Sequence, residues 1–237
     1  MIGADLLPLL SPADGLAVGF TLLGGMALQR AIESPRFPRP SVSQIMASYR
    51  RDWMREFVTR QPRLYDASVL GGLREGITFY ASSCLIGLGG GLALVADTRP
   101  LQGLALSFDL EADPALLVKA KVLFVLAFLV NAFLKFVWSH RLFGYCSVLM
   151  ASVPNDPAHP RAQMRAARAA ELNITAARNY NRGLRSVYYA LGALGWLLGP
   201  WALLVTMGAT FATLIRREFA SQSRAAIVPR LDEDDPA

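Results

Sequence analysis

Apolar residues in this chain gather into four long runs, separated by stretches rich in arginine or aspartate. The first run, Gly15–Leu28, lies between Asp14 and Arg30. A membrane-crossing helix here also needs Pro12–Ala13 and Ala31–Ile32 to reach the necessary length. The second, Ile77–Ala96, holds 20 residues without a charge, enough to cross about 30 Å of hydrocarbon. The third, Ala115–Met150, is too long for one perpendicular crossing and must tilt or project from the bilayer. The fourth, Val187–Ile215, is broken by Gly199-Pro200, where a kink is expected. The pattern predicts an all-α polytopic membrane helix bundle. It forms a single domain over 1–224, with spans at about 12–32, 76–97, 115–150 and 187–215.

Two polar segments between the runs also carry helical periodicity. In 41–61, Val42, Ile45, Met46, Tyr49, Trp53 and Phe57 draw one apolar stripe, with Arg50, Arg51, Asp52, Arg55 and Arg60 around it. Tyr49, Arg50, Trp53 and Phe57 make this helix a candidate for the membrane interface, beside anionic lipid headgroups. Packing on neighbouring helices is the alternative. The segment 161–186 is rich in alanine and predicts a second helix. Arg161, Arg165 and Arg168 share one of its sectors; Glu171, Arg178, Arg182 and Arg185 share another. The end of the chain, 225–237, is acidic and reads as a disordered tail.

Charge orients the runs. Of the 24 basic residues 21 are arginine, and the chain carries a formal net charge of +6. Residues 36–74 hold eight arginines and 141–185 hold seven. The connection Asp97–Asp113 has one arginine against Asp97, Asp109, Glu111 and Asp113. Basic loops stay in the cytoplasm, which places the acidic connection and the amino-terminal end outside. Only Asp5 and Asp14 are charged before the first run, unlike a cleaved signal with its positive start. Four spans then put the tail outside, against the pull of Arg216, Arg217, Arg224 and Arg230. A re-entrant hairpin at Gly199-Pro200 would return it inside; four spans are the favoured reading.

Polar residues within the third run carry the chemical question. With Asn131 as origin, Lys135, Trp138, Phe128 and Phe124 fall within about 60° on the helical wheel, and Lys121 slightly further. A lysine deep in lipid costs at least ~2.5 kcal/mol, avoided if it snorkels or faces the bundle. Asn131 needs a partner, expected at Thr78, Ser82 or Ser83. Glu75 is the expected counter-ion of Lys135 or Arg141. With Asn181, Arg182 and Arg185 these residues form a candidate polar belt. The belt reads as the mouth of an anion pathway, a headgroup site, or structural glue.

Small residues at four-residue spacing suit close helix packing, within one chain or between copies. Ser83, Gly87 and Gly91 are the clearest set; Gly15 with Gly19, and Gly192, Gly195 and Gly199, repeat the theme. Cys84 and Cys146 have no pair spacing, and His140 and His159 lie apart from any ligand cluster. No phosphate-binding loop or catalytic motif is present. No cofactor, metal or enzymatic role is expected. Nucleic acid is set aside as a partner, because no aromatic stacking array or reader motif accompanies the arginines.

The pieces YRRDWMREFVTRQPRLYDASVLGGL, GITFYASS, FLKFVWSHRLFGYCSVLMASVP, NYNRGLRSVYYALGALGWLLGP and IRREFASQSR run in order from Tyr49 to Arg224. In order and spacing they resemble an uncharacterised integral-membrane family of proteobacteria and land plants, catalogued as domain of unknown function 599. Where that pattern carries an asparagine before the tyrosine of the third piece, this chain has Gly144. The resemblance implies a helical bundle in a membrane and no particular activity. The expectation is a multi-pass protein of the inner membrane, in contact with the bilayer and its anionic headgroups. It acts as a transporter or channel, or by binding anions or headgroups. The alternative is a scaffold that holds a protein partner or a second copy at its basic face.

Overall fold

The computed structural model describes residues 9–34, 37–107 and 113–228. Among these, every regular element is helical. The order is α1 (Pro12–Glu33), α2 (Val42–Thr59), α3 (Leu64–Ala96), α4 (Arg99–Ser107), α5 (Ala115–Ala151), α6 (Ala162–Ala193), a 3-10 turn (Leu194–Leu198), α7 (Pro200–Phe219) and α8 (Gln222–Ile227). α1, α3 and α5 are long and apolar enough to cross a membrane. The apolar window of α3 is only 6% buried within the protein. So much bare apolar surface is incompatible with water as its neighbour and compatible with lipid.

Local chemistry sets the helix ends. Ser11 Oγ accepts from the Asp14 amide, while the Asp14 carboxylate accepts from the Ser11 amide, at 3.1 and 3.0 Å. This reciprocal cap, with Pro12 as first helical residue, starts α1. Ser41 caps α2 by accepting from the Gln44 amide, and donates its own hydroxyl to Ile32 O at 2.8 Å. Pro200 opens α7, where its missing N–H costs nothing.

The chain divides into two compact units. The first comprises 1–29, 81–134 and 183–213; the second comprises 30–80, 135–182 and 214–237.

In the first unit, α6 runs antiparallel to α5. Phe124 meets Trp196, Phe128 meets Tyr189, and Asn131 donates to Ser186. α1 is also antiparallel to α6, pairing Asp14 with Trp196 at one end and Gly25 with Tyr189 further along. Gly91 and Gly87 of α3 lie against Leu126 and Leu129 of α5. Val125, Ala190 and Ala193 form the buried centre, lined by Phe124, Phe128 and Leu129.

The fourth predicted span, 187–215, is not one helix. α6 continues to Ala193, the 3-10 turn follows, and Gly199 adopts φ +112°. Only glycine takes that backbone readily, and Pro200 bars the helix from continuing. The result is a reversal rather than a kink. α7 folds back on α6, with Thr206 Oγ1 donating to Gly192 O at 2.6 Å. A Cβ on Gly195 would lie 2.3 Å from Thr206 Oγ1 and 2.9 Å from Ala202 O, so the two backbones meet through glycine.

In the second unit, α2 runs antiparallel to the first part of α6 through Ser43–Asn181, Arg50–Asn173 and Arg51–Glu171. Ser139 and Cys146 of α5 donate to Ala176 O and Ala169 O of α6. Arg63 donates to Val153 O and Pro154 O at 2.8 and 2.9 Å, satisfying carbonyls just past the end of α5. The last segment closes on α2 and the residues before it. Glu218 accepts from Ser43, Phe37 packs on Phe219 at 5.2 Å, and Tyr49 donates to Ile227 O at 3.1 Å.

Three further boundaries differ from the sequence reading. α3 begins at Leu64, because the residues before the apolar run are helical too. The helix expected at 161–186 and the start of the fourth run are one element, α6. Residues 225–227 of the expected disordered tail lie in α8; 229–237 fall outside the described residues. α4, within the acidic connection, was not anticipated.

Candidate polar belt and basic face

Of the belt residues, Asn131, Arg141, Asn181 and Arg182 each have a different partner. Asn131 donates to Ser186 Oγ at 3.0 Å, and Ser186 donates on to Phe128 O at 2.7 Å. The partner is therefore on α6, not Thr78, Ser82 or Ser83 of α3. Asn131 is itself exposed. Arg185, also in the first unit, is only 4% exposed.

In the second unit, Arg182 grips Glu33 with Nε and a terminal nitrogen, a two-point pair that fits a planar guanidinium. Asn181 donates to Ser43 Oγ at 3.3 Å. Arg141 Nε donates to Tyr145 OH at 2.6 Å. Glu75 is exposed and forms no ion pair among the described residues, so it is not the counter-ion of Lys135 or Arg141. Lys135 is half-buried and likewise has no carboxylate partner among them.

The α2 stripe is only partly covered by the protein: Ile45 and Phe57 are buried, Val42 and Trp53 half-buried, and Met46 and Tyr49 exposed. Phe57 is 2% exposed, and Met54 and Val58 are buried with it. Trp53 Nε1 donates to Asp66 Oδ1 at 2.6 Å. Arg50 donates to the Asn173 side-chain oxygen, and burial pushes its pKa below the usual arginine value. Tyr49 alone of the four candidate interface residues is exposed, and its hydroxyl is used by Ile227. Helix packing thus takes Ile45 and Phe57, while Met46 and Tyr49 stay on the surface.

Of the small-residue sets, Gly91 and Gly87 pack inside the chain. A Cβ on Gly91 would sit 2.3 Å from Leu126 Cδ2. Ser83 is exposed. Gly15 and Gly19 have no neighbour within 4 Å, so the groove expected there does not form within the chain.

Several polar groups escaped the sequence reading. Asp14 is 5% exposed and accepts from Trp196 Nε1 at 2.6 Å. Lys121 is 3% exposed and pairs with Asp113 at 2.6 Å. Asp66 is fully buried and holds both Trp53 and Arg60. Glu33 and Glu218 take Arg182 and Ser43. All of these carboxylates but Asp66 had a visible signal: they sit near the edge of an apolar run, where a charge needs a partner. Which cation or donor meets it depends on pairings up to 182 residues apart.

Charge is divided unequally. Among the described residues, 18 of the 22 Lys and Arg fall in the second unit and four in the first, against eight and three of the 11 Asp and Glu. The fold is thus an all-α helical bundle with three helices long and apolar enough to cross a membrane, one compact unit that is nearly neutral and one that is strongly basic. The family model described as "Protein of unknown function, DUF599" matches residues 15–223, and the chain belongs to that family. No curated protein and no solved structure matches it.

Proposed function

We propose that this is a multi-pass inner-membrane protein whose arginine-rich unit lies at the cytoplasmic leaflet and binds anionic lipid headgroups. The observation that carries the reading is the sorting of charge: a strongly positive second unit and a nearly neutral first unit, whose helices present bare apolar faces. Positive segments are retained in the cytoplasm, and its leaflet carries negative lipid. The exposed residues Leu85, Ile86 and Leu92 of α3 and Trp201 and Val205 of α7, each more than half exposed, face acyl chains on this reading. A transport pathway is less well supported, since Asn131, Arg141, Asn181 and Arg182 are engaged with different partners rather than turned on one another.

The reversal at Gly199 refines the topology. In the first unit, Asp14, Lys121 and Trp196 mark one end, and α7 sets out from the same end. Five crossings, by α1, α3, α5, the end of α6, and α7, follow from that order. The last segment then returns to the basic side, where Glu218, Phe219 and Ile227 meet residues of 37–49. Arg216, Arg217 and Arg224 are thereby cytoplasmic, as their charge requires.

A cysteine-labelling map tests this. With Cys84 and Cys146 replaced by alanine, Pro100→Cys should react with an impermeant maleimide in intact cells. Ser223→Cys should react only after permeabilisation. Labelling of Ser223→Cys from outside overturns the topology. Melting temperature in nanodiscs should be higher with phosphatidylglycerol than with phosphatidylcholine; equal values overturn the headgroup reading.

A further inference from the structure

The second unit carries one exposed helical face on which cation, hydroxyl and apolar surface coincide. Val137 and Trp138 precede Arg141 by four and three residues and Tyr145 follows it by four, so the four share the outer side of α5. Val137, Trp138 and Tyr145 are 46%, 47% and 43% exposed. The Arg141 guanidinium is held, not free: Nε donates to Tyr145 OH at 2.6 Å, and Cζ lies 5.6 Å from the ring centre. No carboxylate pairs with it among the described residues.

This geometry leaves hydrogen-bond capacity pointing outward. Arginine has five N–H donors, of which the tyrosine takes one, and the tyrosine hydroxyl keeps its own hydrogen to donate. A fixed guanidinium beside a second donor suits tetrahedral oxyanions better than a mobile lysine does. On the amino-terminal side of the pair, Val137 and Trp138 offer an apolar shelf with an indole. Tryptophan and tyrosine favour the depth at which glycerol and headgroup meet the acyl region.

We propose that Arg141 and Tyr145 form a binding site for the phosphate of an anionic glycerophospholipid, whose glycerol and upper acyl carbons lie on Trp138 and Val137. Charge complementarity selects this occupant over a protein face, because the site is cationic without a neighbouring acid. The inference rests on the placement of the basic unit at the headgroup layer proposed above, and names one site within it.

The test is native mass spectrometry of the full chain released from nanodiscs of phosphatidylcholine with phosphatidylglycerol. The unaltered protein should retain phosphatidylglycerol. Arg141→Gln and Tyr145→Phe should each weaken that retention, the arginine change by about tenfold, as for one charged hydrogen-bonded contact. Arg178→Gln, an exposed arginine elsewhere in the unit, should retain the lipid as the unaltered chain does. Both changes are at exposed positions, and unchanged circular dichroism checks folding. If Arg141→Gln and Arg178→Gln behave alike while the unaltered chain still prefers phosphatidylglycerol, the site is wrong and the headgroup reading stands. If the unaltered chain shows no preference, both fall. Displacement of the lipid by inorganic phosphate at millimolar concentration would make this a free-anion site and overturn the lipid assignment.

Discussion

Glu218, near the end of α7, accepts from both the amide and the hydroxyl of Ser43 in the first turn of α2, at 3.2 and 3.0 Å. A carboxylate at a helix amino terminus meets unpaired amides and the positive end of the helix dipole. The contact thus does for α2 what a capping side chain does, from 175 residues away in sequence.

Glu218→Ala should therefore lower stability by about 1–2 kcal/mol, the scale of a lost cap with its charge. Ser43→Ala should cost less, and the double variant little more than Glu218→Ala alone. Thermal unfolding in detergent across this cycle measures the coupling; simple additivity would mean the two residues act independently.

Asp66 gives a larger effect. It is fully buried and receives Trp53 Nε1 and Arg60, so its removal strands two donors. Asp66→Ala is expected to cost about 3 kcal/mol, and Trp53→Phe about 1 kcal/mol. Denaturation monitored by far-UV circular dichroism would show whether that order holds.

Gly195 tests the close approach of α6 and α7. An added methyl meets Thr206 Oγ1 and the Ala202 carbonyl, a side chain and a backbone atom that cannot both retreat. Gly195→Ala should destabilise by about 1–3 kcal/mol, typical of overpacking. Gly15→Ala, at a position with open space, should be neutral or slightly stabilising. Equal effects of the two substitutions would contradict the hairpin.

Asn131→Leu is expected to be mild, within about 1 kcal/mol. Ser186 keeps its bond to Phe128 O when the amide is gone, and hydrogen bonds between membrane helices are individually weak. A loss of several kcal/mol in a steric-trapping or unfolding assay would mean that Asn131 has a role beyond this bond.

Hydrophobic periodicity made the helical class legible, along with α1, the second half of α3, and α5. Length and apolar content are local properties, so a window of residues suffices. The Gly199-Pro200 break was equally visible, but its outcome was not. A kink and a reversal begin with the same two residues, and what separates them is Gly192 and Gly195 receiving Thr206 and Thr210. The α2 stripe posed a similar ambiguity: Ile45 and Phe57 suit lipid or a protein neighbour alike, and tertiary packing buried them while leaving Met46 and Tyr49 exposed. Glu75 looked like a partner for Lys135 because both stand near run boundaries. The pairings that do form, such as Arg182 with Glu33, depend on helix rotation, which sequence spacing leaves open.

The turn at Gly199 also bears on how the chain enters a bilayer. Neither α6 nor α7 belongs with the three helices apolar enough to cross alone. On the proposed topology these two arms would have to partition together, as a preassembled pair leaving the translocon late in synthesis. Truncation before Pro200 would then strand the end of α6 at the surface, and quality-control proteases would meet an otherwise inserted protein with one arm unburied.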